Sequence, residues 1–439
     1  MNIAIVSLQY GTTATGGGGV HVNRISEEYV KRGHKVTVLT MHTGTTEKEF
    51  KMSGQDYSSN RERSIRVIRF LIEKGIKTPY DGDKKEEFSR IKKFCERAAE
   101  KLGELQKEVK VVHLHGHHLV PGYLAHLLEP LEFKVVSTIH FLESTLRGKD
   151  GVDHINRMPE GLFNRLRQWE VMTTQADEIV VISPGQHEDF LNICREEEMD
   201  NIEDIKSRMH LISSGVESKA VLAENQIRDK WADSSRGLKV LSYSRLDPSK
   251  GLHYSIRSLP ALVEVSGPGL KLVVAGIPSK DYDKVLKEEK DRLPEVIKCE
   301  LNFFTEIFDC EERNNFMDNF AVYLFPTLSE PFGITLIETA ARGMFIITTD
   351  SAGPMYIMGQ GGVEEKEWGY ISDYGINVKL TSNPETHLIS NIAEAWKWFE
   401  NNRDKALDKI LNFRKLILEK YTWDAVVRQY FSMYNKTLE

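Results

Sequence analysis

The sequence is short of paired sulfur. Its 439 residues hold four cysteines, Cys95, Cys194, Cys299 and Cys310, far apart and with no C-x-x-C pair. That excludes a disulfide frame and a cysteine zinc site, and it fits reduced thiols in a cytoplasmic protein. No apolar run approaches the roughly 18 residues needed to span a bilayer. The first residues read directly as a strand, Ile3–Leu8, so no signal peptide is expected. There is no excess of positive charge either: the net charge is −7, which argues against a general nucleic-acid binder. No G-x-G-x-x-G with a trailing acid is present, because Met41-His42-Thr43 comes after the second expected strand; a dinucleotide oxidoreductase is disfavoured. Asp81-Gly82-Asp83 and Asp281-Tyr282-Asp283 spell D-x-D, but neither follows a strand closely, and both read as chance. Internal repeats and low-complexity segments are absent.

What is present is the composition of a globular protein, 40% apolar and 28% charged, with enough chain for two full cores. Short apolar runs alternate with helical patterns, as in parallel α/β sheets. The expected organisation is a first domain over 1–217, a polar linker over 218–236, a second domain over 237–420 and a terminal helix over 421–439.

The most informative stretch is Ser329–Gly343. It comes after an apolar strand, Ala321–Phe325, and reads as a helix with Pro331 in the first turn, closed by Gly343. The helix start offers free amides around Phe332, Gly333, Ile334 and Thr335, a natural phosphate site. Glu330 and Glu338 flank it, and carboxylates accept hydrogen bonds well from vicinal sugar hydroxyls. The same two residues also fit a dipole partner and a solvated helix position. A second turn, Ser244-Arg-Leu-Asp-Pro-Ser-Lys250-Gly251, puts Arg245 at a strand end and Lys250 at a helix start. Two such cations can neutralise a diphosphate; they also fit plain surface charge.

In the first half, Gly16–Gly19 opens a helix after the first strand, where backbone can approach a ligand. A strand then runs into His113-Leu-His115-Gly-His117-His118, four histidines in six residues. No Cys or acid completes a metal set there, so no metal is assigned. A further strand delivers His140 to the same sheet edge. The charge around Arg61–Lys101 reads as a solvated face, with a membrane-surface patch as the rival.

Ser-Glu-Pro-Phe-Gly with Glu338 after it, and Ser-Arg-Leu-Asp-x-x-Lys-Gly before it, resemble the retaining nucleotide-sugar glycosyltransferases of family 4, which have the GT-B fold. In motif detail the likeness is greatest to the sucrose-phosphate synthase and sucrose synthase branch. The resemblance covers nearly the whole chain and is strongest over 241–251 and 326–357. It implies two doubly wound Rossmann-like domains with a cleft between them, and transfer of a hexose, glucose foremost, from a donor such as UDP-glucose to a hydroxyl. A soluble sugar or sugar-phosphate acceptor comes first. A lipid acceptor at a membrane surface and a disaccharide phosphorylase are the alternatives.

By the same resemblance Glu330 holds the transferred sugar, Glu338 the ribose, Arg245 and Lys250 the leaving diphosphate, and His140 a sugar hydroxyl. Gly17, Gly333, Ile334 and Thr335 contact the donor; His21, His115, His117 and His118 line the acceptor side. No cofactor or metal is implied. The chain departs from the family at Ser213-Ser214, Glu217, Ala352 and Tyr356.

Overall fold

The computed structural model describes residues 1–11, 17–43, 65–117, 119–147, 153–233, 237–277, 282–304, 310–381 and 384–438. They form two compact units, Met1–Ser214 together with Val426–Glu439, and Gly215–Ala425.

The first unit is built on seven strands: β1 (Asn2–Ser7), β2 (Lys35–Met41), β3 (Ile65–Phe70), β4 (Val111–His117), β5 (Lys134–Phe141), β6 (Glu178–Val181) and β7 (Met209–Leu211). Their order is β3-β2-β1-β4-β5-β6-β7, and every pair is parallel. Ile3, Ala4, Ile5 and Val6 are all buried, as expected of a strand covered on both faces. The helix Lys84–Leu105 carries Phe88, Ile91, Phe94, Cys95 and Ala98 inward. Asp83 and Glu86 close a capping box at its start.

The second sheet holds β8 (Lys239–Tyr243), β9 (Lys271–Gly276), β10 (Lys298–Phe303), β11 (Val322–Phe325), β12 (Phe345–Thr349), β13 (Val363–Lys366), β14 (Gly369–Ser372) and β15 (Gly375–Val378), ordered β10-β9-β8-β11-β12-β15-β14-β13. The sequence pattern predicts a wholly parallel sheet, and this one departs from it at one edge. β14 runs antiparallel to both β13 and β15, through turns at Glu367-Trp368 and Asp373-Tyr374 too short for a crossover.

The stretch expected to link the domains has structure of its own. The chain divides after Ser214, and helix Glu224–Asp233 belongs to the second unit. Its Ile227 is fully buried against Gly343, where φ is +70° and an added Cβ would lie 2.8 Å from the Ile227 side chain. The terminal helix, Trp423–Leu438, enters the first unit from Val426 onward.

In each sheet the strand order reverses once on either side of the first strand, between β1 and β4 and between β8 and β11. Open α/β sheets bind ligands beyond the carboxyl ends of strands at such a point. The candidate residues sit at these two ends.

Candidate active site

In the second unit three turns are tied into one piece. The β8 turn is a short 3₁₀ segment, Pro248–Lys250, capped by the Asp247 carboxylate, which accepts from the Ser249 amide at 3.1 Å. Gly251 comes next with φ +63°, and a Cβ there would fall 2.1 Å from the Pro326 carbonyl oxygen. Only glycine lets the β8 turn approach the β11 turn so closely. The carbonyl of Ser249 accepts the amides of Leu328 and Ser329 at 2.8 and 3.3 Å. The β12 turn joins through the Gly353 amide, which donates to the Glu330 carbonyl at 2.9 Å.

This stitching sets Lys250 beside Glu330. The ammonium lies 2.9 Å from the carboxylate, with both side chains mostly buried, 13% and 16% exposed. It also donates to the Ser329 carbonyl at 3.2 Å. Lys250 is therefore not a bare cation in the free protein; its charge is matched by the carboxylate that the resemblance assigns to the sugar. Arg245 differs. Its side chain is exposed, and among the described residues its guanidinium has no hydrogen bond or ion pair.

The helix begins later than the sequence pattern predicts. It spans Ile334–Ala341, with Gly333 as N-cap at φ +107°. Pro331 therefore belongs to the preceding turn, because the left-handed Gly333 interrupts helical geometry after it. The Phe332 amide already donates to Glu330 Oε1 at 3.3 Å. The amides of Ile334 and Thr335 lie in the first helical turn, where the helix itself supplies no acceptor. Thr335 Oγ1 is 2.9 Å from the Tyr323 hydroxyl. Glu338 lies on the same helix and pairs with Arg313 at 2.9 Å. No sequence signal points to Arg313: it lies on a separate helix, Cys310–Met317, in a stretch without a motif.

In the first unit the structure gathers histidines. His115 Nδ1 and His140 Nε2 are 3.1 Å apart. The His115 ring is tilted against that of His113, centroids 4.0 Å apart, and the His21 ring lies 5.0 Å from His140. His21 reaches Ser214 Oγ and the Tyr430 hydroxyl, each at 3.1 Å. His113 bonds Thr138 Oγ1 at 2.7 Å and also the Tyr434 hydroxyl, which meets Tyr29 at 2.8 Å. His21, His113 and His115 are fully buried. Burial, reinforced by the neighbouring rings, holds their pKa values well below 6.5, so all three are neutral at pH 7.

The resemblance places His21 and His115 on an acceptor surface. In the free protein neither ring reaches solvent; His140 is the half-buried outer member. His117 closes β4 after a register shift at Gly116, and His118 lies outside the described residues. Gly17 opens the helix Gly17–Lys31. Among the described residues no three His, Cys, Asp or Glu side chains gather as a metal-binding group, and no helix is long and apolar enough to cross a membrane.

The two doubly wound sheets are those of the GT-B glycosyltransferases. The chain belongs to that family: residues 223–393 match the model "Glycosyl transferases group 1" and residues 15–217 match "Glycosyltransferase Family 4". It is 23% identical to an uncharacterised glycosyltransferase of Methanocaldococcus jannaschii, over all of this chain and 99% of that one. It is 22% identical to a probable sucrose-phosphate synthase of Thermosipho melanesiensis, over 96% of this chain and 91% of that one. The solved sucrose-phosphate synthase of Thermosynechococcus elongatus superposes with a TM-score of 0.71 at 17% identity, covering 100% of this chain and 99% of that one.

Proposed function

We propose that the protein moves a hexose, glucose foremost, from a nucleotide-diphosphate sugar to a hydroxyl of a soluble sugar or sugar phosphate, with retention and without a metal. The observation that carries this reading is the Lys250–Glu330 pair, held at 2.9 Å by turns from β8 and β11. An arriving diphosphate competes for the Lys250 ammonium. Glu330 is then released to accept hydroxyls of the sugar. Arg245, exposed and unpaired among the described residues, takes the other phosphate charge. Glu338, oriented by Arg313, accepts the ribose hydroxyls.

In the reaction the bond from the anomeric carbon to the leaving diphosphate breaks, and the acceptor oxygen bonds to that carbon from the same face. The acceptor proton passes to a phosphate oxygen, so no side-chain base is needed. Fixed donors stabilise the charge that develops on the diphosphate.

The test is a panel of nucleotide sugars, read by released nucleoside diphosphate with and without a mixed acceptor pool, with chelator in parallel. The expected product is an α-glycoside, seen in the anomeric proton coupling by NMR. Phosphate-dependent breakdown of a disaccharide without any nucleotide would replace this reading with a phosphorylase. Transfer only to vesicle-borne acceptors would place the acceptor in a membrane.

A further inference from the structure

In the second sheet the strand order reverses between β8 and β11, and the pairing of those two strands stops short of their carboxyl ends. The registered pairs are Val240–Val322 and Leu241–Tyr323, while β8 runs on to Tyr243 and β11 to Phe325. Past that point side chains bridge the two strands. Ser242 Oγ donates to the Leu324 carbonyl at 2.8 Å, and the Tyr323 hydroxyl donates to the Tyr243 carbonyl at 2.7 Å. Tyr323 is fully buried. Burial holds its pKa well above 10, so the phenol keeps the proton it donates. The same hydroxyl oxygen is 2.9 Å from Thr335 Oγ1, in the first turn of the helix Ile334–Ala341. One buried hydroxyl therefore touches three elements. It stands on β11, holds the end of β8 two residues before Arg245, and meets the Thr335 side chain. A phenylalanine would fill the same space and make neither contact, so packing alone does not call for the hydroxyl.

We infer that Tyr323 is a positioning residue: its hydroxyl ties the end of β8, which leads to Arg245, to the helix start at Ile334 and Thr335, and so fixes the spacing between the guanidinium and the helix amides that together receive the diphosphate. The tie acts where the ladder has ended, so the crevice stays open to a ligand while its two walls keep their separation. This inference rests on the transferase reading for its consequence in turnover, but not for the tie itself.

The test uses the full-length protein with ¹³C-labelled threonine methyl groups. The Thr335 methyl should be rigid in the wild type, read as its NMR order parameter, and mobile in Y323F. Y323F should also lower kcat about tenfold, the scale of one lost hydrogen bond, and leave the acceptor KM unchanged. T335V cuts the same tie at its other end, while the Tyr243 carbonyl keeps its donor. It should therefore match Y323F in kcat but lose less in melting temperature, which separates positioning from stability. The double variant should be no slower than either single one, since both remove one interaction. T335S, which keeps the hydroxyl, should recover most of the loss. A Thr335 methyl equally mobile in wild type and Y323F would overturn the inference, as would losses of turnover that add in the double variant or that follow melting temperature. Should Y323F fail to fold, T335V against T335S decides. Should no sugar transfer be found, the transferase reading falls while the methyl measurement still stands.

Discussion

Replacing Lys250 with Met separates what the Lys250–Glu330 pair does for the fold from what it does for the reaction. The two side chains are 13% and 16% exposed, between a surface pair and a buried one. Exposed pairs contribute about 0–1 kcal/mol, and breaking a fully buried one costs about 3–5 kcal/mol. For Lys250→Met the expected loss is about 2 kcal/mol, because Glu330 is left with the Phe332 amide as its remaining partner. For a unit of this size that is roughly 4–8 °C in melting temperature. Adding Glu330→Gln removes the stranded charge, so the double variant should recover much of the stability. Catalysis should not recover with it. Loss of a fixed cation from the leaving diphosphate should lower kcat about a hundredfold or more, and the double variant should be no faster. The assays are urea unfolding and steady-state release of nucleoside diphosphate. If the double variant regains turnover along with stability, the pair is structural and the mechanism fails.

Arg245→Ala should lower kcat about a hundredfold or more without a change in melting temperature, since the exposed guanidinium has no partner among the described residues; unchanged turnover would remove Arg245 from the reaction. Tyr434→Phe leaves His113 Nδ1 and the Tyr29 hydroxyl buried without their shared partner. It should destabilise the first unit by about 1–3 kcal/mol, measured by denaturant unfolding, and an unchanged midpoint would refute the network. Burial lifts the pKa of Glu170 to about 7, against hydrogen bonds from Ser144 that favour the carboxylate. Its native pKa is above the unfolded value, so its contribution is fully present below the ordinary carboxyl range and is lost as pH rises through 7. Melting temperatures of wild type and Glu170→Gln, compared at pH 5 and pH 8, should shift in favour of the variant at the higher pH; a constant difference would show that Glu170 is ionised throughout.

The β8 and β11 turns are legible in the sequence because each is a contiguous string. Arg245 and Lys250 lie five residues apart, and Glu330 to Thr335 run without interruption, so local spacing alone brings them to strand ends. Parallel strands are legible from their continuous apolar runs. The histidines are not, because their partners are remote: Tyr434 is 321 residues from His113, and Tyr430 is 409 from His21. Nothing in the run His113–His118 shows that a terminal helix will take up its nitrogens. Helix Glu224–Asp233 reads as linker because one apolar residue, Ile227, is all it buries. Pro331 misleads for a related reason. A proline signals a helix start only when the residues after it keep helical φ, and Gly333 does not.

The helix that completes the first unit, from Val426 onward, comes after the whole of the second unit in chain order. Until residues 426–438 emerge, His21 and His113 have no tyrosine hydroxyls to meet, and water must occupy those places. The first unit therefore cannot finish its interior until the second unit has been made, however early its strands pair. Completion of that half waits on synthesis of the whole second unit, and a chain arrested before Tyr430 would leave His21 and His113 without the tyrosine hydroxyls that meet them in the finished protein.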